Sequence, residues 1–256
     1  SEQRAVFKHM DLVDLQRILT ENIGKRQRVL VVTDGIFSML GEIQDLKALR
    51  AVLDRFDSQY PQGVLLVVDD CHGVGACGAT GRGTEELTGG QADVLIGTLG
   101  KAFGSDGGYV VASQAVIDYL RESSATYIYS NSISPGTAGA AVVAVQLFDQ
   151  PEGKVMLERS VKNAAMLREG LVAAGFSFAA ESQHPIQPLL VGDPAKSKAL
   201  KKGLFEQGIL VTSINYPVVP AGRDEIRLQV SAADTDEDIQ ACITAVVKVG
   251  KQLSLC

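Results

Sequence analysis

Apolar side chains recur along this chain with two spacings, which predict alternating helices and strands. In residues 11–22 the apolar positions fall on one face of a helix, and Asp11 stands where it can cap the first turn. Residues 45–56 have the same helical spacing. Residues 28–34 and 64–70 are almost continuously apolar, which is typical of strands covered on both faces.

The same patterns continue to residue 148. They predict strands at 92–97 and 108–112, and helices at 113–122 and 134–148. Strands joined by helical crossovers indicate an α/β fold whose mostly parallel sheet has helices on both faces. Ligands bind such sheets beyond the carboxyl ends of the strands. We expect the polar groups at those ends to share one edge: Asp34, Asp69, Asp70 and the turn from Thr98 to Lys101.

The pattern changes near Pro151, where a long helix is predicted at 152–174. Shorter elements follow it, with strands at 186–191, 209–214 and 226–230 and helices at 195–207 and 236–252. This order indicates a small α+β domain behind a larger α/β domain. We therefore predict two domains, residues 1–150 and residues 151–256.

Composition narrows the class of protein. The 256 residues are 46% apolar and 21% charged, which is ordinary for a globular chain. With 24 basic and 30 acidic side chains the net charge is -6, so nothing points to nucleic acid or an anionic membrane as a partner. The longest apolar stretch, residues 138–148, is too short to cross a bilayer. Four cysteines are too few for a disulfide scaffold, so we expect a cytoplasmic location.

A single lysine, Lys101, stands among glycines at the end of a predicted buried strand. Burial of an ammonium is costly unless its pKa falls, and the resulting amine is a good nucleophile toward carbonyls. The aldehyde of pyridoxal phosphate (PLP) is one such carbonyl, and Thr98 is placed to offer its hydroxyl to a phosphate. The alternative is a surface lysine in a flexible glycine loop.

The other strand-end motif is Asp69-Asp70-Cys71-His72-Gly73. A carboxylate at a buried strand end needs a positive partner, and the pyridinium nitrogen of PLP is one. His72 is placed to hydrogen-bond the phenolate oxygen of the same ring. The alternatives are a turn or helix cap for Asp69 and Asp70, and a core histidine for His72.

Residues 71–78 also allow two other functional interpretations. Gly73 to Gly78 matches the G-x-G-x-x-G pattern of dinucleotide-binding folds. That pattern should open a helix directly, whereas the sequence here predicts a loop to Gly83, and the acidic residue expected at a later strand end is missing. Cys71, His72 and Cys77 also suggest zinc, but no second ligand pair follows at a usable spacing.

Four motifs together resemble the α-oxoamine synthases, which are fold-type I PLP enzymes that condense an amino acid with an acyl-CoA. They are TDGIFSM at 33–39, VVDDCHGVGACGATGRG at 67–83, GTLGKAFG at 97–104 and YSNSISP at 129–135. The resemblance extends over nearly the whole chain. Within the family, four segments are most similar to the 2-amino-3-ketobutyrate CoA ligases, also called glycine C-acetyltransferases: 130–132, 215–222, 226–235 and 249–253.

The resemblance implies a role for each matching residue. Lys101 would link covalently to PLP and later remove the α-proton, Asp69 would pair with the ring nitrogen, and His72 would contact the 3′-oxygen. Thr98 would bind the phosphate and Ser38 the polar edge of the cofactor. The remaining roles fall to Ser130 and Asn131, which would reach the phosphate from the partner subunit of a homodimer, and to Arg227, which would bind the amino-acid carboxylate.

The implied reaction joins glycine and acetyl-CoA to give 2-amino-3-ketobutyrate and CoA. In the cell we expect the reverse cleavage, in threonine breakdown. Another α-oxoamine synthase, such as one like 8-amino-7-oxononanoate synthase, is the first alternative. A catalytically silent scaffold subunit is the second, although the retained Lys101, Asp69 and His72 oppose it.

Length is the main departure from the family, whose members are longer. In the family a histidine stacks on the cofactor ring. None of the three histidines here, His9, His72 and His184, has the neighbouring sequence of that residue. The upstream glycine-rich loop of the family is also missing. We therefore expect this chain to be a fragment that by itself binds PLP weakly or not at all.

Overall fold

The structure is a computed structural model that describes residues 3–256. The chain divides into two compact units. The first comprises the chain up to Ile36 together with Gln44–Asp149, and the second comprises Phe37–Ile43 together with Gln150–Cys256. The short segment Phe37–Ile43 thus groups with the second unit, although its neighbours on both sides belong to the first. The division into a large domain, residues 1–150, and a small domain, residues 151–256, stays a prediction.

The first unit contains four strands and six helices among the described residues. They are α1 (Leu12–Asn22), β1 (Val29–Asp34), α2 (Leu46–Asp57), β2 (Val64–Asp69), α3 (Thr84–Thr88), β3 (Val94–Thr98), β4 (Gly108–Ala112), α4 (Gln114–Ser123), α5 (Ala125–Ile128) and α6 (Pro135–Phe148). The short helices α3 and α5 were not predicted, because one turn of helix carries too few residues to show a period.

The strands of the first unit form one sheet in the order β1-β2-β3-β4. The first three are parallel and β4 is antiparallel to β3, so the predicted α/β class with a mostly parallel sheet is confirmed. Asp11 caps α1 by accepting from the N–H groups of Val13 and Asp14, as the sequence predicted. The core joins α1 and α2 to the sheet and contains Leu15, Leu19, Val31, Leu46, Leu49, Val52, Leu53, Tyr60, Val64, Leu66, Val68 and Leu95.

Strand β1 differs from its prediction. It was expected to be covered on both faces, but Leu30 and Val32 are 58% and 62% exposed. Val31, which points to the other face, is buried in the core. Residues 3–256 therefore cover only one of the two faces of β1.

The second unit contains a three-stranded antiparallel sheet packed on three helices. Its elements are α7 (Pro151–Ala173), β5 (Ile186–Leu190), α8 (Pro194–Glu206), β6 (Thr212–Ile214), β7 (Glu225–Gln229) and α9 (Asp236–Gln252), and β7 lies between β5 and β6. Strand β6 is shorter than the predicted 209–214. The N–H of Ile209 donates to the carbonyl of Leu204, so that residue belongs to the turn that ends α8.

Two absences concern residues 3–256 only. In that part of the chain no helix is both long and apolar enough to span a bilayer. The same residues bring together no group of three histidine, cysteine or acidic side chains able to hold a metal ion.

Candidate active site

The carboxyl ends of the parallel strands bring two predicted carboxylates together. Asp34, at the end of β1, pairs in register with Asp69, at the end of β2. Asp69 in turn lies beside Ile96 of β3. Since Thr98 ends β3 two residues later, the polar groups of three strands share one edge, as the sequence predicted.

Lys101 follows the end of β3 by three residues and so lies near this same edge, where its charge acts on two neighbours. Burial raises the pKa of Asp34, and the charge of Asp69 raises it further, while His9 and Lys101 oppose the rise. Lys101 also acts on Cys71, whose pKa is raised to about 11 by burial and by its hydrogen bond to Asp69. The first unit thus brings Asp69 and Lys101 within electrostatic range of common neighbours. His72 is half-buried in the turn that follows β2.

The two aspartates of the motif have different surroundings. Asp69 is half-buried, and one of its carboxylate oxygens accepts the N–H of Cys71 at 3.0 Å. Asp70 is completely buried and turns into the loop that follows. Alternation along an extended backbone points successive side chains to opposite sides, so only Asp69 faces the site edge.

Asp70 organises the loop from residue 71 to α3. Its carboxylate accepts the N–H of Thr84 at 2.8 Å and also the Thr84 hydroxyl. Burial raises its pKa to about 6, although both bonds to Thr84 favour the ionised form. A Cβ on Gly35, Gly73 or Gly83 would collide with the Asp70 carboxylate, so glycine is needed at all three positions. Of the two structural roles that the sequence left open, Asp70 thus holds the start of α3, and Asp69 holds the turn after β2 through the N–H of Cys71.

Lys101 lies in the connection between β3 and β4 and is exposed. The expectation of a desolvated ammonium is therefore wrong for this structure, because the connection extends beyond the sheet edge rather than into a core. The turn is held by the N–H of Gly104 donating to the Lys101 carbonyl at 3.0 Å. The hydroxyl of Thr98 donates to the Gly107 carbonyl at 3.1 Å.

Close packing joins this turn to the loop after β2. Gly75 has a φ of +75°, and a Cβ placed on it would lie 2.8 Å from Cβ of Ala102. The residue next to Lys101 therefore touches the loop that follows the Asp69-to-His72 motif. Only glycine permits this approach without moving one of the two turns.

Ser130 and Asn131 are exposed and follow α5. The segment that continues from them packs on the connection bearing Lys101. A Cβ on Gly107 would lie 2.8 Å from Ile133, and the Ser105 hydroxyl donates to the Thr137 carbonyl at 3.1 Å.

Ser38 and Arg227 fall in the second unit. Ser38 lies in a turn closed by the N–H of Phe37 donating to Glu42 and the N–H of Gly41 donating to Phe37. The Ser182 hydroxyl donates to the Gly41 carbonyl at 3.0 Å and so anchors the turn to this unit. Arg227 is half-buried on the central strand β7.

The segment matching G-x-G-x-x-G does not open a helix. It continues as turns to Gly83, and α3 begins only at Thr84. This loop structure differs from the dinucleotide-binding arrangement, in which the helix begins within the glycine motif.

The sequence did not predict the roles of two polar residues, Thr84 and Glu225. Nothing near Thr84 in the sequence indicates its contact with Asp70, because Asp70 is fourteen positions earlier. Glu225 does have a signal in the sequence, because polar and apolar residues alternate from it to Gln229. This alternation predicts a strand that begins at Glu225 and has one polar and one apolar face.

This chain resembles known proteins in both sequence and structure. Residues 4–246 match the model of the family described as aminotransferase class I and II. The chain is 41% identical over 254 residues to 8-amino-7-oxononanoate synthase of Geobacter metallireducens, covering 97% of this chain and 62% of that protein. It is 38% identical over 258 residues to 2-amino-3-ketobutyrate coenzyme A ligase of Escherichia coli, covering 99% of this chain and 62% of that protein.

A solved structure of serine palmitoyltransferase (SPT) with PLP superposes on the fold with a TM-score of 0.89. It is 29% identical in sequence, and the match covers 98% of this chain and 61% of the other. The chain thus spans just over three fifths of the length of the relatives it matches.

Proposed function

Because this chain belongs to the aminotransferase class I and II family, and within it to the PLP-dependent α-oxoamine synthases, we propose that it is part of an acyltransferase that condenses glycine with acetyl-CoA. The observation that supports this most is the arrangement of Asp69, Asp34 and the Lys101 turn at one sheet edge. The substrate pair rests on the motifs at 130–132, 215–222 and 226–235, which are similar to those of the glycine/acetyl-CoA enzymes.

The residues of this edge fit PLP chemically. A pyridinium N–H needs an anionic acceptor, and the half-buried carboxylate of Asp69 is one. An aldehyde needs an accessible amine, and Lys101 is exposed within electrostatic range of the same carboxylate cluster. A flat ring needs space between them, and the side of the edge near Lys101 is bordered by small residues, Gly100, Ala102 and Gly75.

We assign the cofactor contacts accordingly. Lys101 would hold the aldehyde carbon, Asp69 the ring nitrogen and His72 the 3′-oxygen. Thr98 would bind the phosphate, and Ser38 the polar edge of the ring. Ser130 and Asn131 would reach the phosphate of the partner subunit in a homodimer. When bound, PLP supplies an electron-poor ring that accepts the electron pair left on the α-carbon of an amino acid.

Side chains of this chain would bind the substrate and transfer the proton. Arg227 would hold the amino-acid carboxylate with its planar guanidinium, which matches two carboxylate oxygens at once. Lys101 would take the proton from the α-carbon and hold it for return to the product. The carboxylate of Asp69 would accept the N–H of the ring nitrogen and so favour its protonated form.

The overall reaction is balanced as a simple acyl transfer. The α-carbon of glycine forms a bond to the carbonyl carbon of acetyl-CoA, the thioester bond breaks, and CoA leaves as the thiol. The product, 2-amino-3-ketobutyrate, keeps the glycine carboxylate. We propose that the reverse cleavage is the physiological direction.

The second candidate is the 8-amino-7-oxononanoate synthase reaction. The 41% identity to the Geobacter metallireducens enzyme supports it as much as the 38% identity to the ligase supports the first. By carbon count its product requires a seven-carbon dicarboxylic acyl group and an alanine that loses its carboxylate. The two reactions therefore differ in acyl length and in whether the carboxylate is retained.

A competition assay tests the choice of substrates. The PLP-loaded enzyme containing this chain is given acetyl-CoA and pimeloyl-CoA together, with glycine or alanine, and the products are separated by mass. We expect the four-carbon amino-ketoacid from glycine and acetyl-CoA to dominate. A dominant nine-carbon product from alanine would favour the second candidate.

A further inference from the structure

An acidic and a basic side chain share the polar face of strand β7. Glu225 and Arg227 are two residues apart, so both project from the same side of the strand. Ile226 and Leu228 project from the other side into the core of the second unit. Glu225 is completely buried, and Arg227 is half-buried.

Both charged groups lack hydrogen bonds that burial normally requires. Within residues 3–256, neither carboxylate oxygen of Glu225 has a hydrogen-bond partner, and neither has Nε of Arg227. The Nη2 of Arg227 donates to Oε1 of Gln229 at 3.2 Å. Buried polar atoms are nearly always paired, so three unpaired ones on one strand face point to a ligand or to a change of protonation.

The neighbouring strands contribute no other titratable group at these positions. Leu190 of β5 and Ile214 of β6 lie opposite Glu225. Pro188 and Thr212 lie opposite Arg227. The charges that act on Glu225 are those of Arg223 and Arg227. Asp224, the residue just before β7, also has an unpaired buried oxygen, but as the direct neighbour of Glu225 in an extended backbone it projects from the opposite side.

We propose that Glu225 is a positioning residue, the resident counter-charge of Arg227, and that it takes up one proton from solvent when a ligand carboxylate binds the guanidinium. Before binding, Glu225 balances the charge of Arg227 inside the fold. After binding, the ligand carboxylate supplies that balance, and the protonated Glu225 is neutral. This inference rests on the proposed role of Arg227 in binding the amino-acid carboxylate.

Physical reasons favour proton uptake over two anions beside one cation. Burial raises the pKa of Glu225 to about 7, while the nearby arginines oppose the rise. A bound carboxylate would cancel the attraction of Arg227 and so raise that pKa further. A site that must gain a proton in order to bind loses affinity as the pH rises, by at most about tenfold per pH unit.

The experiment compares two amines on the PLP-loaded enzyme. Glycine and methylamine both react with the cofactor aldehyde, but only glycine carries a carboxylate, so the ratio of their dissociation constants isolates carboxylate binding. The ratio is measured from the visible spectrum at several pH values on either side of about 7. In the wild type we expect the preference for glycine to fall by up to about tenfold per pH unit above pH 7.

Variants of Glu225 test whether this residue is the group that takes up the proton. Glu225→Gln cannot titrate and should make the preference for glycine independent of pH. Glu225→Asp keeps a carboxylate and should restore the pH dependence. Glu206→Gln, at the exposed end of α8, removes the same charge elsewhere in the second unit and should behave as the wild type.

Calorimetry on the wild type gives a second readout that needs no variant. Heats of binding measured in two buffers with different ionisation enthalpies should show up to about one more proton taken up with glycine than with methylamine. Equal proton uptake, or an unchanged pH dependence in Glu225→Gln, would overturn the proposal while leaving glycine as the substrate. If the wild type binds both amines equally at every pH, the assignment of Arg227 itself fails, and the proposal with it.

Discussion

Asp69 and Asp70 are neighbours in the chain but have different surroundings. Asp69 stands half-buried at the sheet edge, whereas Asp70 is fully buried and holds the start of α3. As two aspartates, they are expected from their chemistry alone to have the same role. Their roles differ because their side chains point in different directions, and those directions depend on where β2 ends.

Thr84→Val tests the structural role of Asp70. The substitution keeps the shape of the side chain but removes one of the two hydrogen bonds to a fully buried carboxylate. We expect a loss of about 1–3 kcal/mol in the free energy of unfolding, measured by urea denaturation at neutral pH. Thr88→Val is the control, since that hydroxyl donates only to a helix carbonyl. Equal losses in the two variants would refute the assignment.

Glu225 should make stability depend on pH. Its pKa is raised to about 7 in the fold from an ordinary value of 4.5, mainly by burial. Stability from this group is therefore complete below about pH 4.5 and is lost as the pH rises through 7. The unfolding free energy of Glu225→Gln minus that of the wild type should increase by at most about 3 kcal/mol between pH 5 and pH 8. A difference that stays constant over this range would show that Glu225 does not titrate as described.

The sequence predicted which polar residues lie at the sheet edge better than it predicted their surroundings. The placement of Asp34, Asp69 and Thr98 followed from strand ends, which hydrophobic runs predict well. The exposure of Lys101 did not follow, because it depends on how far the β3–β4 connection extends beyond the sheet. Thr84 was missed because its contact with Asp70 joins residues fourteen positions apart.

At the scale of elements, two loops are fitted to each other. The turn bearing Lys101 and the loop after β2 touch at Gly75 and Ala102. Neither loop is regular secondary structure, so this contact fixes the distance between the motifs that carry Asp69 and Lys101. A disturbance there should affect cofactor binding more than a similar disturbance elsewhere.

Gly75→Ala tests this fit. Its positive φ and the close Ala102 should together destabilise the protein by about 2–4 kcal/mol and weaken PLP binding in the complete enzyme. Gly24→Ala is the matched control, because Gly24 has a similar φ of +72° but no neighbour within 4 Å. It should cost only about 1 kcal/mol and leave PLP affinity unchanged. Spectroscopic titration with PLP measures the difference, and equal PLP affinities in the two variants would contradict the account.

Element boundaries were predictable where a local signal marks them. Helix α9 and strand β4 have the predicted bounds, and Asp11 caps α1. Strand β6 was predicted to begin three residues too early, at residue 209. Apolar residues that follow a helix can belong either to the turn that ends the helix or to the next strand, and the sequence does not distinguish the two. The exposed face of β1 was missed because an apolar run does not reveal whether the sheet is covered there.

At the scale of the whole chain, helix α6 has an unusual surface. Its sequence is largely apolar, yet Val142, Val143 and Val145 are 55%, 67% and 45% exposed. The helix begins just after Ser130 and Asn131, which we propose reach a partner subunit. A homodimer that brings this segment to its partner would also cover apolar surface of α6.

Val143→Glu therefore should weaken self-association of the complete enzyme. A charge in an apolar interface has no partner, so we expect at least a tenfold rise in the dimer dissociation constant, measured by sedimentation equilibrium. Val172→Glu, on a comparably exposed position of α7 in the second unit, is the control and should have no effect. Unchanged association in Val143→Glu would exclude this face of α6 from the interface.

Lys101 is the residue that we propose holds PLP covalently. The most direct test of this proposal is to load the enzyme with PLP, reduce the bond with borohydride and identify the modified peptide by mass spectrometry. We predict one phosphopyridoxyl group on Lys101 and none in Lys101→Ala. A label on a different lysine, or an unchanged extent of labelling in Lys101→Ala, would contradict the account.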